Sequence, residues 1–211
     1  MMRITEEIQQ EHRLVEEIAG SLHFWADRGV DHPDAAGDKA DLIRFIRAFI
    51  LQLHFGNEEA LFDALVEHGE IPGHKGPLAI LRREHEDAAL AIDRFESLGA
   101  DEEAVALAIE IAAELWQHLD KEDSVIMPEA ERRLIDGGIR DVELPHPPEG
   151  IEEIRELGHE LVRRLPPMDD SDLIRGDGCI PCAAFGGECH GIETEWWSDW
   201  EREYHASLDE G

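Results

Sequence analysis

Two histidine–glutamate pairs with the same spacing are the first residues in this sequence that could do chemistry. His54 precedes Glu58 by four positions, and His118 precedes Glu122 by four. Residues four apart share one face of an α-helix, so each pair can present an imidazole and a carboxylate together. His54 follows an apolar stripe that ends at Leu53, which predicts that its face points into a core. A glutamate buried there is costly without a partner, and a metal ion offsets that cost.

An exposed ion pair is the alternative interpretation of either pair alone, because such pairs are common on wet helix surfaces. Two pairs, on the second and fourth predicted helices, favour an internal site instead. Two further histidines support that interpretation. Antiparallel neighbours would bring His12 to the level of His54, and His85 to the level of His118 with a looser match. Taken alone, His12 or His85 could equally be a partly exposed helix histidine.

Four imidazoles and two carboxylates at one level would form a nitrogen and oxygen site without thiolates. Such a ligand set suits iron, manganese or zinc. Two shared glutamates would also neutralise part of the charge of two adjacent divalent ions. The predicted metal ligands are His12, His54, Glu58, His85, His118 and Glu122.

Helical periodicity dominates the sequence that must position these side chains, and no strand-like alternation competes with it. The predicted helices run from about Thr5 to Arg28, from Asp38 to His68, from Pro77 to Leu98, and from Asp101 past Pro128. Pro128 is expected to kink the fourth helix or to mark its last turns. Short connections between four helices of similar length predict an all-α, up-down-up-down four-helix bundle over residues 1–138.

Residues 139–211 are predicted to form a second unit, with a short helix from about Glu152 to Leu165 and an irregular tail that contains the cysteines. Three thiolates and an imidazole fall within a short stretch of this tail: Cys179, Cys182, Cys189 and His190. They could form a tetrahedral zinc site or a thiol–disulfide redox pair, or remain inert thiols. Two adjacent ligands, Cys189 and His190, would be strained on one ion.

The charge balance excludes several classes of partner. The 211 residues contain 50 Asp and Glu against 19 Lys and Arg, for a formal net charge of −31. Such a surface repels nucleic acid and anionic membranes. It suits either a high-salt cytosol or an acidic protein in ordinary salt. With no apolar leader, no stretch long enough to span a membrane and few cysteines, the expected location is the cytoplasm.

The ordered set of motifs resembles the hemerythrin family, also called the HHE cation-binding domain, over about residues 3 to 135. The resemblance is carried by His12, His54-x-x-x-Glu58, Glu84-His85-Glu86, His118-x-x-x-Glu122, and the phrases at 57–62 and 121–128. It implies a di-iron centre of two Fe ions, with Glu58 and Glu122 bridging and the histidines capping each iron. Reversible binding of O₂ at an open position on one iron is the activity that it implies.

The third helix departs from the pattern of the oxygen-carrying members, which have five histidines and place two of them four residues apart there. Leu81 and Ala89 stand four residues from His85 and cannot bind metal. His74 is the candidate for the fifth nitrogen, provided that the loop before Pro77 folds back. If no fifth histidine binds, a water or a carboxylate fills the place, and an extra open position favours reaction over reversible carriage.

Three functions are compatible with these residues. The first is a protein that binds O₂ or another small diatomic ligand, or senses or stores O₂, NO or iron. The second is an enzyme that reduces peroxide or O₂ with electrons from the tail thiols. The third is an interaction module in which zinc fills the sites. The tail could also bind a protein partner or a second copy of the chain.

Overall fold

The computed structural model describes residues 2–74 and 76–168, and its regular elements there are all helices. We number them α1 to α5. Helix α1 spans Arg3–Arg28, α3 spans Pro77–Ser97, and α5 spans Ile151–Arg164. Helix α2 consists of three consecutive segments, Ala35–Phe45, Ile46–His54 and Phe55–His68. Helix α4 consists of Glu102–Lys121, Glu122–Ile126 and Met127–Asp136. Within these ranges, each helix falls short of the length and apolar character that a bilayer-spanning segment needs.

The first turns of α1 and α4 differ, because a side chain caps α4 but not α1. Helix α1 begins at Arg3, earlier than the start predicted at Thr5. The Thr5 hydroxyl donates a 2.9 Å hydrogen bond to the carbonyl of buried Met2, so it does not cap the free N–H groups of the first turn. The predicted start of α4 is confirmed, because the Asp101 carboxylate accepts a 3.0 Å hydrogen bond from the Ala104 N–H.

Helix α2 also begins earlier than predicted, at Ala35 instead of Asp38. The Asp38 side chain is buried and is used in ion pairs, 2.5 Å from Arg28 and 2.8 Å from Arg164. A side chain of α1 fixes the first turn of α2: the Trp25 indole N–H donates a 2.9 Å hydrogen bond to the Ala35 carbonyl. A tertiary contact therefore sets this helix start, which sequence alone does not show.

Both helices that carry a histidine–glutamate pair contain a π-helical segment beside it. The segment Ile46–His54 ends on His54, and the segment Glu122–Ile126 begins on Glu122. In the second of them, the Met127 N–H donates to the Glu122 carbonyl five residues earlier, which widens the turn. Each pair of predicted ligands thus lies at a junction between α-helical and π-helical backbone.

The π segment in α2 corrects the direction of its buried face. At about 100° per residue, an unbroken α-helix would turn the buried side chains of residues 57–65 about 100° away from those of residues 42–50. One additional residue in a turn makes up that angle, so both stretches face the core. Pro128 is the second residue of the segment that follows the π segment of α4. The helix ends at Asp136, which agrees with the expectation that the proline marks its last turns.

Two apolar clusters fill the interior, one on each side of the level at which the predicted ligands lie. The larger cluster includes Val15, Ile18, Leu22, Phe45, Phe49, Ile92, Ile111 and Leu115. The smaller cluster includes Ile4, Ile8, Leu61, Phe62, Leu81, Ile126 and Leu134. Helix α5 adds Ile151, Ile154 and Leu161 to the larger cluster, and Leu165 directly after it adds a fourth side chain, so α5 packs on the same core as α1, α2 and α4.

A glycine allows α5 to lie close to α2. A Cβ atom at Gly158 would lie 2.3 Å from Cε2 of Phe45. The Phe45 ring is fully buried and stacks on Phe49 with their centroids 4.9 Å apart, so it has little freedom to withdraw.

We therefore expect Gly158→Ala to destabilise the protein. Overpacking a core costs about 1–3 kcal/mol, and this loss exceeds the gain of about 1 kcal/mol that alanine brings to a helix interior. Urea unfolding followed by circular dichroism measures the difference. Gly56→Ala is the matched control, because a Cβ there would meet nothing within 4 Å and should stabilise the helix. Equal gains in both variants would contradict the close contact with Phe45.

Candidate metal centre

The structure brings all six predicted ligands together between the two apolar clusters, and all six side chains are buried. They form two groups, in each of which one ligand atom per residue lies within 4.8 Å of the others. The first group is His12, His54, Glu58 and Glu122, and the second is Glu58, His85, His118 and Glu122. The two glutamates belong to both groups, so the groups are adjacent and have two residues in common.

Glu58 turns one carboxylate oxygen towards each pair of histidines. Its Oε1 atom lies 2.8 Å from Nε2 of His54 and 3.5 Å from Nε2 of His12. Its Oε2 atom lies 3.0 Å from Nε2 of His85 and 3.7 Å from Nε2 of His118. A carboxylate placed in this way can bind one cation with each oxygen. The two oxygens of Glu58 therefore face different histidine pairs.

Glu122 lies opposite, between one histidine of each group. Its Oε2 atom lies 3.3 Å from Nε2 of His12 and 3.6 Å from Nε2 of His118. The second histidine–glutamate pair therefore contributes to both groups, as the first one does.

Most of the atoms that face one another in this centre lack hydrogen bonds; the exceptions are Nε2 of His85 and Nε2 of His118, which lie 3.3 Å apart. Among the residues that the structure describes, seven buried side-chain nitrogen and oxygen atoms have no hydrogen-bond partner. Apart from Nε of Arg28, they are Nε2 of His12, Nε2 of His54, and both carboxylate oxygens of Glu58 and Glu122. Buried polar atoms are rarely left in this state, so a cluster of six indicates a missing partner. The donor set of nitrogen and carboxylate oxygen fits divalent transition metals.

A family model for the hemerythrin HHE cation binding domain matches residues 3–130 of the chain. The chain belongs to this family. The match contains all six side chains of the centre and ends before α5 begins. No match to the chain was found among curated proteins or among solved structures.

In this hemerythrin domain, each imidazole of the centre has a carboxylate oxygen at its Nδ1 atom. The pairs and their distances are His12–Asp123 at 2.8 Å, His54–Glu11 at 3.2 Å, His85–Glu59 at 3.1 Å and His118–Glu84 at 2.9 Å. An ionised carboxylate can only accept a hydrogen bond, so Nδ1 carries the hydrogen and the neutral ring keeps a lone pair on Nε2. Partners of this kind orient histidine ligands towards a metal.

These four carboxylates follow a cyclic order around the hemerythrin domain. Glu11 of α1 contacts a histidine of α2, and Glu59 of α2 contacts the histidine of α3. Glu84 of α3 contacts the histidine of α4, and Asp123 of α4 contacts a histidine of α1, which closes the circle. These four roles were not among the sequence-based predictions. The available signal was an acidic residue directly beside a ligand on each helix, where it turns about 100° towards a neighbouring helix.

Burial and charge act against each other on the ionisable groups of the centre. Burial disfavours the charged form of His118, but the carboxylates of Glu122, Glu58 and Glu84 outweigh it and raise the pKa of His118 to about 10. Burial also raises the pKa of Glu122, and the negative charge of Glu58 raises it further. The surrounding histidines, His54 first, overcome burial and hold the pKa of Glu58 well below its usual value. Without a metal, the centre therefore retains protons.

Of the remaining predicted ligands, His74 is the one that the structure describes. His74 is in an exposed turn before α3 and belongs to neither group. The loop therefore does not bring it to the centre, and Leu81 occupies the smaller apolar cluster. Cys179, Cys182, Cys189 and His190 lie outside the described residues, so their zinc or redox role stays a prediction.

We expect metal affinity to rise with pH through the neutral range. Because the pKa of His118 is raised to about 10, its ring is protonated at neutral pH, and a metal must displace that proton. Each proton displaced makes binding about tenfold tighter per pH unit, until the pH reaches the pKa. Competition titrations with Zn²⁺ and a chelator, with proton release followed in weak buffer, measure both quantities. A pH-independent affinity without proton release would contradict this account.

Proposed function

We propose that the chain holds two iron ions, one in each group, bridged by Glu58 and Glu122, and that it binds O₂ or another small diatomic ligand such as NO. The observation that carries the proposal is the orientation of Glu58, whose two oxygens face different histidine pairs. A single-ion site would not need this arrangement. The supporting scaffold that we infer is an up-down-up-down bundle of α1 to α4 that ends near residue 138, with α5 packed on its core.

The ligand inventory supports iron and leaves room for a small ligand. Each group offers two imidazole nitrogens and oxygens from two shared carboxylates, without a thiolate. Four protein ligands leave coordination positions free on an ion that accepts six. Iron in such a site supplies an open position for O₂ and electrons to exchange with it. The four carboxylates at the Nδ1 atoms hold the imidazole rings in place for that ion.

Aromatic rings of α2 shield one side of the centre from water. Phe55 stacks on the His85 ring with centroids 3.9 Å apart, and Phe62 stacks on it at 5.9 Å. Both phenylalanines are buried. An apolar molecule such as O₂ can approach rings of this kind, whereas they exclude water and charged solutes.

The histidine set weighs against simple reversible carriage of O₂ as the form of this function. Each group contains two imidazoles, and α3 contributes one histidine, His85, to the second group. An extra open position favours reaction with the diatomic ligand over its reversible carriage.

We expect the chain loaded with Fe²⁺ under argon to contain two iron ions and to change its visible absorption when O₂ is admitted. Removal of one imidazole by His54→Ala should lower the iron content and abolish that change, because His54 lies in the first group and is fully buried. His159→Ala is the matched control, since His159 is exposed on α5 and should leave both measurements unchanged. Elemental analysis of the aerobically purified protein completes the test.

Two results would contradict the proposal. One is zinc without iron in the purified protein, which would favour an interaction module. The other is an O₂ response in the His54→Ala variant equal to that of the wild type.

A further inference from the structure

Helix α5 lies outside the residues that match the family, yet one of its side chains contacts a carboxylate that faces a histidine of the metal centre. Nη2 of Arg155 lies 3.5 Å from Oε1 of Glu11. The carboxylate of Glu11 faces Nδ1 of His54 at 3.2 Å and accepts hydrogen bonds of 3.0 and 3.2 Å from the side-chain amide of Asn57. A continuous series of contacts therefore joins α5 to one of the imidazole ligands.

Glu11 is more deeply buried than the other three carboxylates that contact the histidines. Its side chain is 5% exposed, whereas those of Glu84, Glu59 and Asp123 are 28%, 39% and 50% exposed. A buried carboxylate has lost most of its hydration and needs a charged partner, which water can supply only to the exposed ones. Arg155 faces Glu11 from the surface, with 37% of its own side chain exposed, and supplies that positive charge.

The guanidinium of Arg155 is held in place by the packing of α5. Its central carbon lies 4.9 Å from the centroid of Phe49, a cation–π contact with a fully buried ring. Phe49 stacks on Phe45, against which Gly158 of α5 packs. A longer contact of 3.9 Å joins Arg155 to Glu152, which is exposed. The position of the guanidinium thus depends on how α5 docks.

We propose that Arg155 is a positioning residue for the half of the metal centre that contains His12 and His54. It fixes the carboxylate of Glu11, which in turn fixes the His54 ring and directs Nε2 towards the ion. This inference rests on the proposed metal site and extends it to a helix beyond the matched domain. The other half, with His85 and His118, has its carboxylates from α2 and α3 and does not depend on α5.

Arg155→Met is the variant that tests this role, because methionine keeps apolar contact with Phe49 and removes the charge. Loss of a group that orients a histidine ligand weakens metal binding by about 10- to 100-fold. Since Arg155 acts through Glu11, we expect about a tenfold loss, the lower end of that range, at one of the two metal positions. Stepwise affinities are measured by titrating the full-length metal-free chain with Co²⁺ against a chelator. The visible absorption of bound Co²⁺ reports its ligand geometry, and Arg155→Lys should stay close to the wild type.

Arg164→Met is the matched control on the same helix. Arg164 is 36% exposed and forms ion pairs with Asp38 at 2.8 Å and Asp41 at 2.6 Å, away from the six ligands. Its loss should lower the melting temperature to a similar extent and leave both affinities and the Co²⁺ spectrum unchanged.

The possible failures can be told apart. A wild-type chain that binds two metal ions, with an Arg155→Met variant that binds them equally well, overturns the inference alone. Equal losses of affinity in Arg155→Met and Arg164→Met also overturn it, because docking of α5 would then be the cause. A wild-type chain that binds no metal overturns the proposed function and the inference with it.

Discussion

Mutual repulsion among hydrogen-bond acceptors is the constraint on which this structure depends. Four imidazole Nε2 atoms and two carboxylates face one another between two apolar clusters, where water cannot separate them. A positive charge has to lie among them, either as protons on the imidazoles or as metal ions. The raised pKa of His118 and the lowered pKa of Glu58 have this common origin. Cation binding and the stability of the helical interior are therefore properties of the same atoms.

The cyclic order of the carboxylates distributes this constraint over four helices. Each helix carries a ligand and, directly beside it in sequence, an acidic side chain that orients a histidine of the next helix: Glu11 beside His12, Glu59 beside Glu58, Glu84 beside His85, and Asp123 beside Glu122. A rotation of one helix about its axis would disturb its own ligand and the histidine of its neighbour together. The centre consequently ties the orientations of the four helices to one another more closely than apolar packing alone would.

Sequence reasoning predicted the helices and the six clustered side chains because both depend on periodicity, which a sequence records directly. It placed His12 near His54 and His85 near His118 from helix lengths alone, and their rings lie 5.0 Å apart in each case. It missed what depends on tertiary contact. The start of α2 is set by Trp25, and the reach of Arg155 to Glu11 is set by the docking of α5. The buried positions of α2 before and after His54 differ by about 100° in helical angle. This difference can be calculated from the sequence, but only when the angle is counted along the whole helix.

The π segments make the length of the chain around the metal centre as important as its composition. Deleting one residue from Ile46–His54 would restore ordinary α-helical winding and swing either the apolar stripe before it or Glu58 after it out of the core. A deletion inside Glu122–Ile126 would do the same to the packing of Met127–Asp136. Replacing one ligand removes one donor atom, whereas a single deletion would separate the ligands from the core that holds them. Homologous chains that keep this centre should therefore tolerate substitutions in these segments far more readily than changes in their length.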